Sequence, residues 1–175
     1  MQSIRGWRNP ITLLVLMSVA MPLAFNTWSA LLNNFAVEKA AFTGVDIGIL
    51  QSLREVPGFL SFTVIFVLLI LKEQTFALLS LVLLGLGVAM TGFFPSEYGL
   101  YFTTVLMSIG FHYFEAIKQS LSLQWLSKDE APQILGRLIA VGSVTSLIVY
   151  GVLWVLLEVF AVSFIWNLAL AGGLC

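Results

Sequence analysis

Arg54 and Glu55 interrupt one apolar stretch of this sequence, and His112, Glu115 and Lys118 interrupt another. Side chains of these types, placed among apolar neighbours, bind charged solutes, relay protons or pair with one another. His112 stands about one helical turn before Glu115, and Lys118 about one turn after it, so the three are spaced to share protons or salt bridges. Arg54 has two readings. It contacts a solute, or it pairs with Glu55 or Glu115 and locks the helices together. Gln51 lies about one turn before Arg54 on the same stretch, and Gln119 follows Lys118 directly. Pro57 lacks a backbone donor and, with Gly58, permits a kink in the segment that carries Arg54.

Other chemistries fit the sequence less well. One histidine and a single cysteine, Cys175, with scattered carboxylates, are too few for a zinc site, and no cofactor motif is present. Ser108 lies one turn from His112, which is the spacing of a nucleophile and its base on one helix face. That spacing arises freely by chance, so an intramembrane hydrolase is the weaker expectation and the chain is read as a non-enzyme. A net charge of −1, without any run of Lys or Arg, excludes a nucleic-acid partner.

The elements that position these groups must live in lipid. With 59% hydrophobic and 10% charged residues and a mean hydropathy of +1.00, the chain exceeds what a water-facing surface tolerates. Five stretches are long enough to cross the hydrocarbon as helices: Ile11 to Phe35, Ile47 to Leu71, Phe76 to Phe94, Leu100 to Leu126 and Ile134 to Leu157. A sixth runs from Val162 to Cys175 and is short of a full span. Ile11 to Phe35 is also too long for a secretory signal core, so it is read as an uncleaved first helix. Continuous apolar runs exclude a membrane barrel. The expected fold is therefore an all-α, polytopic transmembrane bundle over residues 1–175, with five full spans and an incomplete sixth, forming a single domain.

Polar residues are not scattered around these helices. On the first, Ser18, Pro22, Asn26, Ser29 and Asn33 recur at three-and-four spacing, and on the fourth Thr104, Ser108, His112, Glu115, Gln119 and Ser122 do the same. Each stripe predicts a face turned away from lipid. The third helix has no ionisable residue between Phe76 and Phe94, which predicts a peripheral, lipid-facing element. Gly85 with Ala89, and Gly142 with Ser146, have the small-xxx-small spacing of close helix packing.

Short loops predict antiparallel neighbours along the chain. Ser127-Lys128-Asp129-Glu130, followed by Pro132, has capping-box spacing ahead of the fifth helix. With the N-terminus inside, Arg5, Arg8, Lys72, Lys128 and Arg137 are cytoplasmic and only Lys39 is outside. Trp7 and Trp125 then sit at inner helix ends, and Tyr98, Tyr101, Trp154 and Trp166 near outer ones. The expected location is the plasma (inner) membrane.

Short loops, an N-inside topology and polar first and fourth helices with a plainer third together resemble the N-terminal half of a major facilitator superfamily transporter. The most similar text is Gly44-Val45-Asp46-Ile47-Gly48-Ile49-Leu50-Gln51-Ser52 and Leu135-Gly136-Arg137-Leu138. The resemblance implies secondary transport of a small solute, with the first and fourth helices lining its cavity. Arg54, Glu55, His112, Glu115, Lys118, Gln119, Asn26, Asn33 and Gln51 become its candidate cavity or proton-coupling residues. Leu71-Lys72-Glu73-Gln74-Thr75 departs from the family's Gly- and Arg-rich loop after the second helix. Family members also have two six-helix halves. Three explanations stay open: a truncated product, which is preferred, a half-transporter completed by another chain, or a homodimer. A non-transporting scaffold or inert fragment is the alternative.

Overall fold

The computed structural model describes residues 10–175 and is all-helical, with no strand among the described residues. Arg5, Trp7 and Arg8, expected at the inner surface, lie outside the described residues. The helices are α1 (Pro10–Ala40), α2 (Gly44–Phe59), α3 (Val64–Leu68), α4 (Glu73–Thr91), α5 (Glu97–Trp125), α6 (Ala131–Trp154) and α7 (Phe164–Gly173). A 3-10 turn, Leu60–Thr63, joins α2 to α3, and a π-helical turn, Val155–Val159, extends α6. Pro10–Ala40, Glu73–Thr91 and Ala131–Val159 are long and apolar enough to cross a membrane. The 29-residue α5 has the length as well, but it carries the polar stripe.

Local chemistry explains where these helices begin and break. Thr43 and Asp46 form a reciprocal capping box: the Thr43 amide donates to the Asp46 carboxylate at 2.8 Å, and the Asp46 amide donates to the Thr43 hydroxyl at 3.4 Å. Ser96 caps α5 by accepting from the Gly99 amide at 3.2 Å. Before α6, the Glu130 amide donates to the Ser127 hydroxyl at 3.3 Å, and that hydroxyl donates to the Glu130 carboxylate at 2.9 Å. The second segment breaks just after Pro57-Gly58, where the missing N–H weakens the helix and the chain tightens into the 3-10 turn. Ala41 turns the chain between α1 and α2 with φ 54°, and Ala161 does so before α7 with φ 50°.

Apart from α4 against α5, the extensive interfaces join helices that are not consecutive: α1 with α6, α2 with α5, and α4 with α7. This corrects the expectation that sequence neighbours pack side by side, because a short loop sets direction without setting the partner face. The buried core includes Leu14, Met17, Trp28 and Phe35 of α1, Leu84 of α4, and Met107, Phe114 and Ile117 of α5.

The peripheral assignment of the third span is also corrected. Half of the apolar window in α4 is buried, between α5 and α7. Absence of charge suits protein burial as well as lipid, which is why hydropathy alone misplaced it. Gly110 of α5 makes this possible: a Cβ there would stand 2.6 Å from the Ser80 carbonyl oxygen and 2.8 Å from Leu84 Cα. On the other side, Gly85 and Ala89 receive Gly172 of α7, so their small-residue spacing serves packing within the bundle. Leu78, Leu79, Val82 and Leu86 make up the exposed side of α4.

Candidate functional site

Arg54 and Glu55 of α2 and His112, Glu115 and Lys118 of α5 sort into two clusters. In the first, Arg54 donates through Nε and a terminal nitrogen to Glu55 Oε1, at 2.9 and 2.6 Å. His112 Nε2 lies 4.0 Å from Glu55 Oε2, and its ring sits directly over the backbone of Gly58, where a Cβ would come within 2.7 Å of the imidazole. The Ser108 hydroxyl donates to the Arg54 carbonyl oxygen, tying α5 to α2. Ser108 is thus engaged with backbone and makes no hydrogen bond to His112 among those of the described residues. Gln51, one turn earlier, has a buried carbonyl oxygen without a hydrogen-bond partner.

The second cluster is Glu115 and Lys118, whose Oε1 and Nζ are 3.6 Å apart. That separation is beyond hydrogen-bond range, and Glu115 Oε1 is buried without a hydrogen-bond partner in the protein. Lys118 Nζ also stands 5.9 Å from the centre of the Phe114 ring, a cation–π distance. Glu115 therefore faces Lys118, while His112 faces Glu55. The spacing on one helix placed all three within reach, but the α2 side chains decide which acid serves which base.

Three cavities follow one another along the seam between α1 and α6. The first, nearest the N-terminal end of α1 and about 680 Å³, is lined by Ile11, Val15, Glu130, Gln133, Arg137 and Leu138 among others. It shares Leu138 with a central cavity of about 380 Å³, in which Ser18, Met21 and Pro22 of α1 face Glu115, Lys118, Gln119 and Ser122 of α5 and Gly142 of α6. Met21, Pro22, Ile139 and Gly142 in turn border a third cavity of about 330 Å³, reached by Phe25, Asn26, Phe111, Ser143 and Ser146. Asn26 donates to Ser146 at 2.7 Å across this third cavity, and Phe25 stacks on Phe111 at 4.3 Å. The Ser18 hydroxyl, 1% exposed, lines the central cavity and has no hydrogen-bond partner in the protein.

Of the nine candidate residues, the structure brings Asn26, Glu115, Lys118 and Gln119 to the groove. It groups Arg54, Glu55 and His112 at the α2–α5 contact. Gln51 is partly buried on α2, and Asn33 is exposed toward the C-terminal end of α1 and belongs to neither cluster. Sequence reasoning missed Ser143, and took Ser146 only as a packing residue. It also passed over Glu73, which accepts from Gln124 at 2.8 Å and from Ser120 at 3.3 Å and ties the start of α4 to the end of α5. Serine at one-turn spacing on α6 was the available signal for the first two. No group of His, Cys, Asp or Glu among the described residues is arranged to hold a metal. Compared with protein-family models, with curated proteins and with solved structures, the chain matches none.

Proposed function

We propose that this chain is a six-helix half of a secondary transporter of the major facilitator type and carries a small solute across the inner membrane. The observation that carries the reading is the groove. The polar stripes of α1 and α5 meet there around Glu115 and Lys118, and chained cavities extend from it in both directions along α1. A carboxylate and an ammonium within a lipid-embedded bundle mark a solute path by default. In this reading the helices α1, α2 with α3, α4, α5, α6 and α7 are the six spans in order.

The pattern of contacts adds support. Replacing spans one, two and three by four, five and six converts the α1–α6 pair into the α5–α2 pair and returns the α4–α7 pair to itself. That exchange is what two inverted three-helix units would show. Glu55, 60% exposed, together with exposed Asn33, Ser29 and Gln119, calls for cover other than lipid. In our reading a second half supplies it, in the same polypeptide, in another chain or in a second copy.

The test is wetness. In a Cys175→Ser background, single cysteines replace Ser18, Asn26 or Gln119 in the groove and Val82 on the exposed face of α4, and membranes are treated with a membrane-impermeant maleimide. Labelling at the three groove positions and none at Val82 is expected. Groove positions as unreactive as Val82 would instead identify a non-transporting scaffold.

A further inference from the structure

The chemistry of the groove narrows the class of solute, in an inference that rests on the transport reading above. The central cavity holds one carboxylate and one ammonium at 3.6 Å, so it is electrically balanced. A well-formed pair of this kind closes to about 2.7–2.9 Å, so each charge here is free to take a second partner of opposite sign. A solute with only a positive or only a negative charge would engage one group, disturb the pair and bury net charge. A solute with both charges satisfies Glu115 and Lys118 together and leaves the site neutral.

Two further observations shape the ligand. Glu115 Oε1 is a buried acceptor with no donor, and the Ser18 hydroxyl is a buried group with no partner, both on the wall of this cavity. Such groups cost free energy until a ligand or water supplies the missing hydrogen bond. Outward, past Met21 and Pro22, the wall is mostly apolar, with Phe25 stacked on Phe111 at 4.3 Å, and its polar members Asn26 and Ser146 are bonded to each other at 2.7 Å.

We propose that the groove binds a zwitterion bearing an apolar side group, the chemistry of an α-amino acid with a large apolar or aromatic side chain. Its ammonium meets Glu115, its carboxylate meets Lys118, and the Ser18 hydroxyl bonds to the head group. The side group lies outward among Met21, Pro22, Phe25 and Phe111.

The experiment is equilibrium dialysis of the full chain in nanodiscs of phosphatidylethanolamine and phosphatidylglycerol, with radiolabelled L-phenylalanine as probe. Unlabelled L-phenylalanine is expected to displace it. N-acetyl-L-phenylalanine, which lacks the ammonium, and L-phenylalaninamide, which lacks the carboxylate, compete roughly tenfold or more weakly, and mannitol does not compete. Glu115→Gln and Lys118→Met each weaken binding by roughly tenfold or more, and Leu79→Ala on the exposed face of α4 leaves it unchanged. Where a variant fails to fold, the analogue series decides alone. Absence of displaceable binding, or equal competition by either single-charge analogue, overturns the proposal. A groove that labels with maleimide but binds no zwitterion refutes the solute class and leaves transport standing; a groove that does neither refutes both.

Discussion

At Arg54 the two readings drawn from the sequence now divide differently. Its guanidinium is held by Glu55 through two hydrogen bonds, so its first role is to neutralise and be neutralised. The groove charges, Glu115 and Lys118, are held more loosely, which suits groups that exchange partners. Removing one member of a pair in an apolar setting strands the other, whereas removing both does not. Because Glu55 is 60% exposed, Arg54→Gln and Glu55→Gln are each expected to cost no more than about 1 kcal/mol, and the double substitution less than their sum, as measured by thermal unfolding in detergent. A double variant as unstable as the sum of the singles would contradict the pairing. That these residues sit within apolar helices was legible from their place in apolar runs. Which acid serves which base was not, because His112, Glu115 and Lys118 share a helix but Glu55 arrives from another.

At the scale of elements, the starts and breaks of helices were written locally. Pro57-Gly58 precedes the break after α2, and Ser127 and Glu130 form their reciprocal contact before α6. The Thr43–Asp46 box belongs to the same class and went unread within Gly44 to Ser52 and its flank. Hydrogen bonds from Thr43 hold the Asp46 carboxyl below its ordinary value of 3.8. Because the folded value is the lower one, this cap stabilises the helix above pH 3.8 and its contribution disappears as pH falls through the folded value. Melting curves taken from about pH 5 down to about pH 2 should lose less stability in Asp46→Asn than in the parent. What no local pattern reveals is the packing partner. The chain of α4 reads as lipid-facing, yet Gly110 lets α5 close onto it. Gly110→Ala is expected to cost about 1–3 kcal/mol, while Gly136→Ala, which meets nothing within 4 Å, should be neutral or slightly stabilising. Thermal unfolding of the two variants side by side decides this, and equal effects would rule out the close contact.

Across the whole molecule, the polar stripes of α1 and α5 were visible as spacing, and their meeting in one groove required α6 to close the third side. The contribution of Ser143 and Ser146 was hidden for that reason: serine in an apolar helix has the same appearance whether it bonds its own backbone or borders a cavity. Both do bond their own helix, Ser143 to the Ile139 carbonyl and Ser146 to that of Gly142. Ser146 nevertheless accepts from Asn26 across the groove. A solute path built this way must be reachable from water on either side of the membrane at the depth of that pair. The most direct measurement is the reaction of Asn26→Cys, in the Cys175→Ser background, with an impermeant thiol reagent applied separately to each face of sealed vesicles. The proposed transport predicts labelling from both faces, slowed by L-phenylalanine, the ligand class we propose. Labelling from neither face, at the rate seen for Val82→Cys, would contradict it.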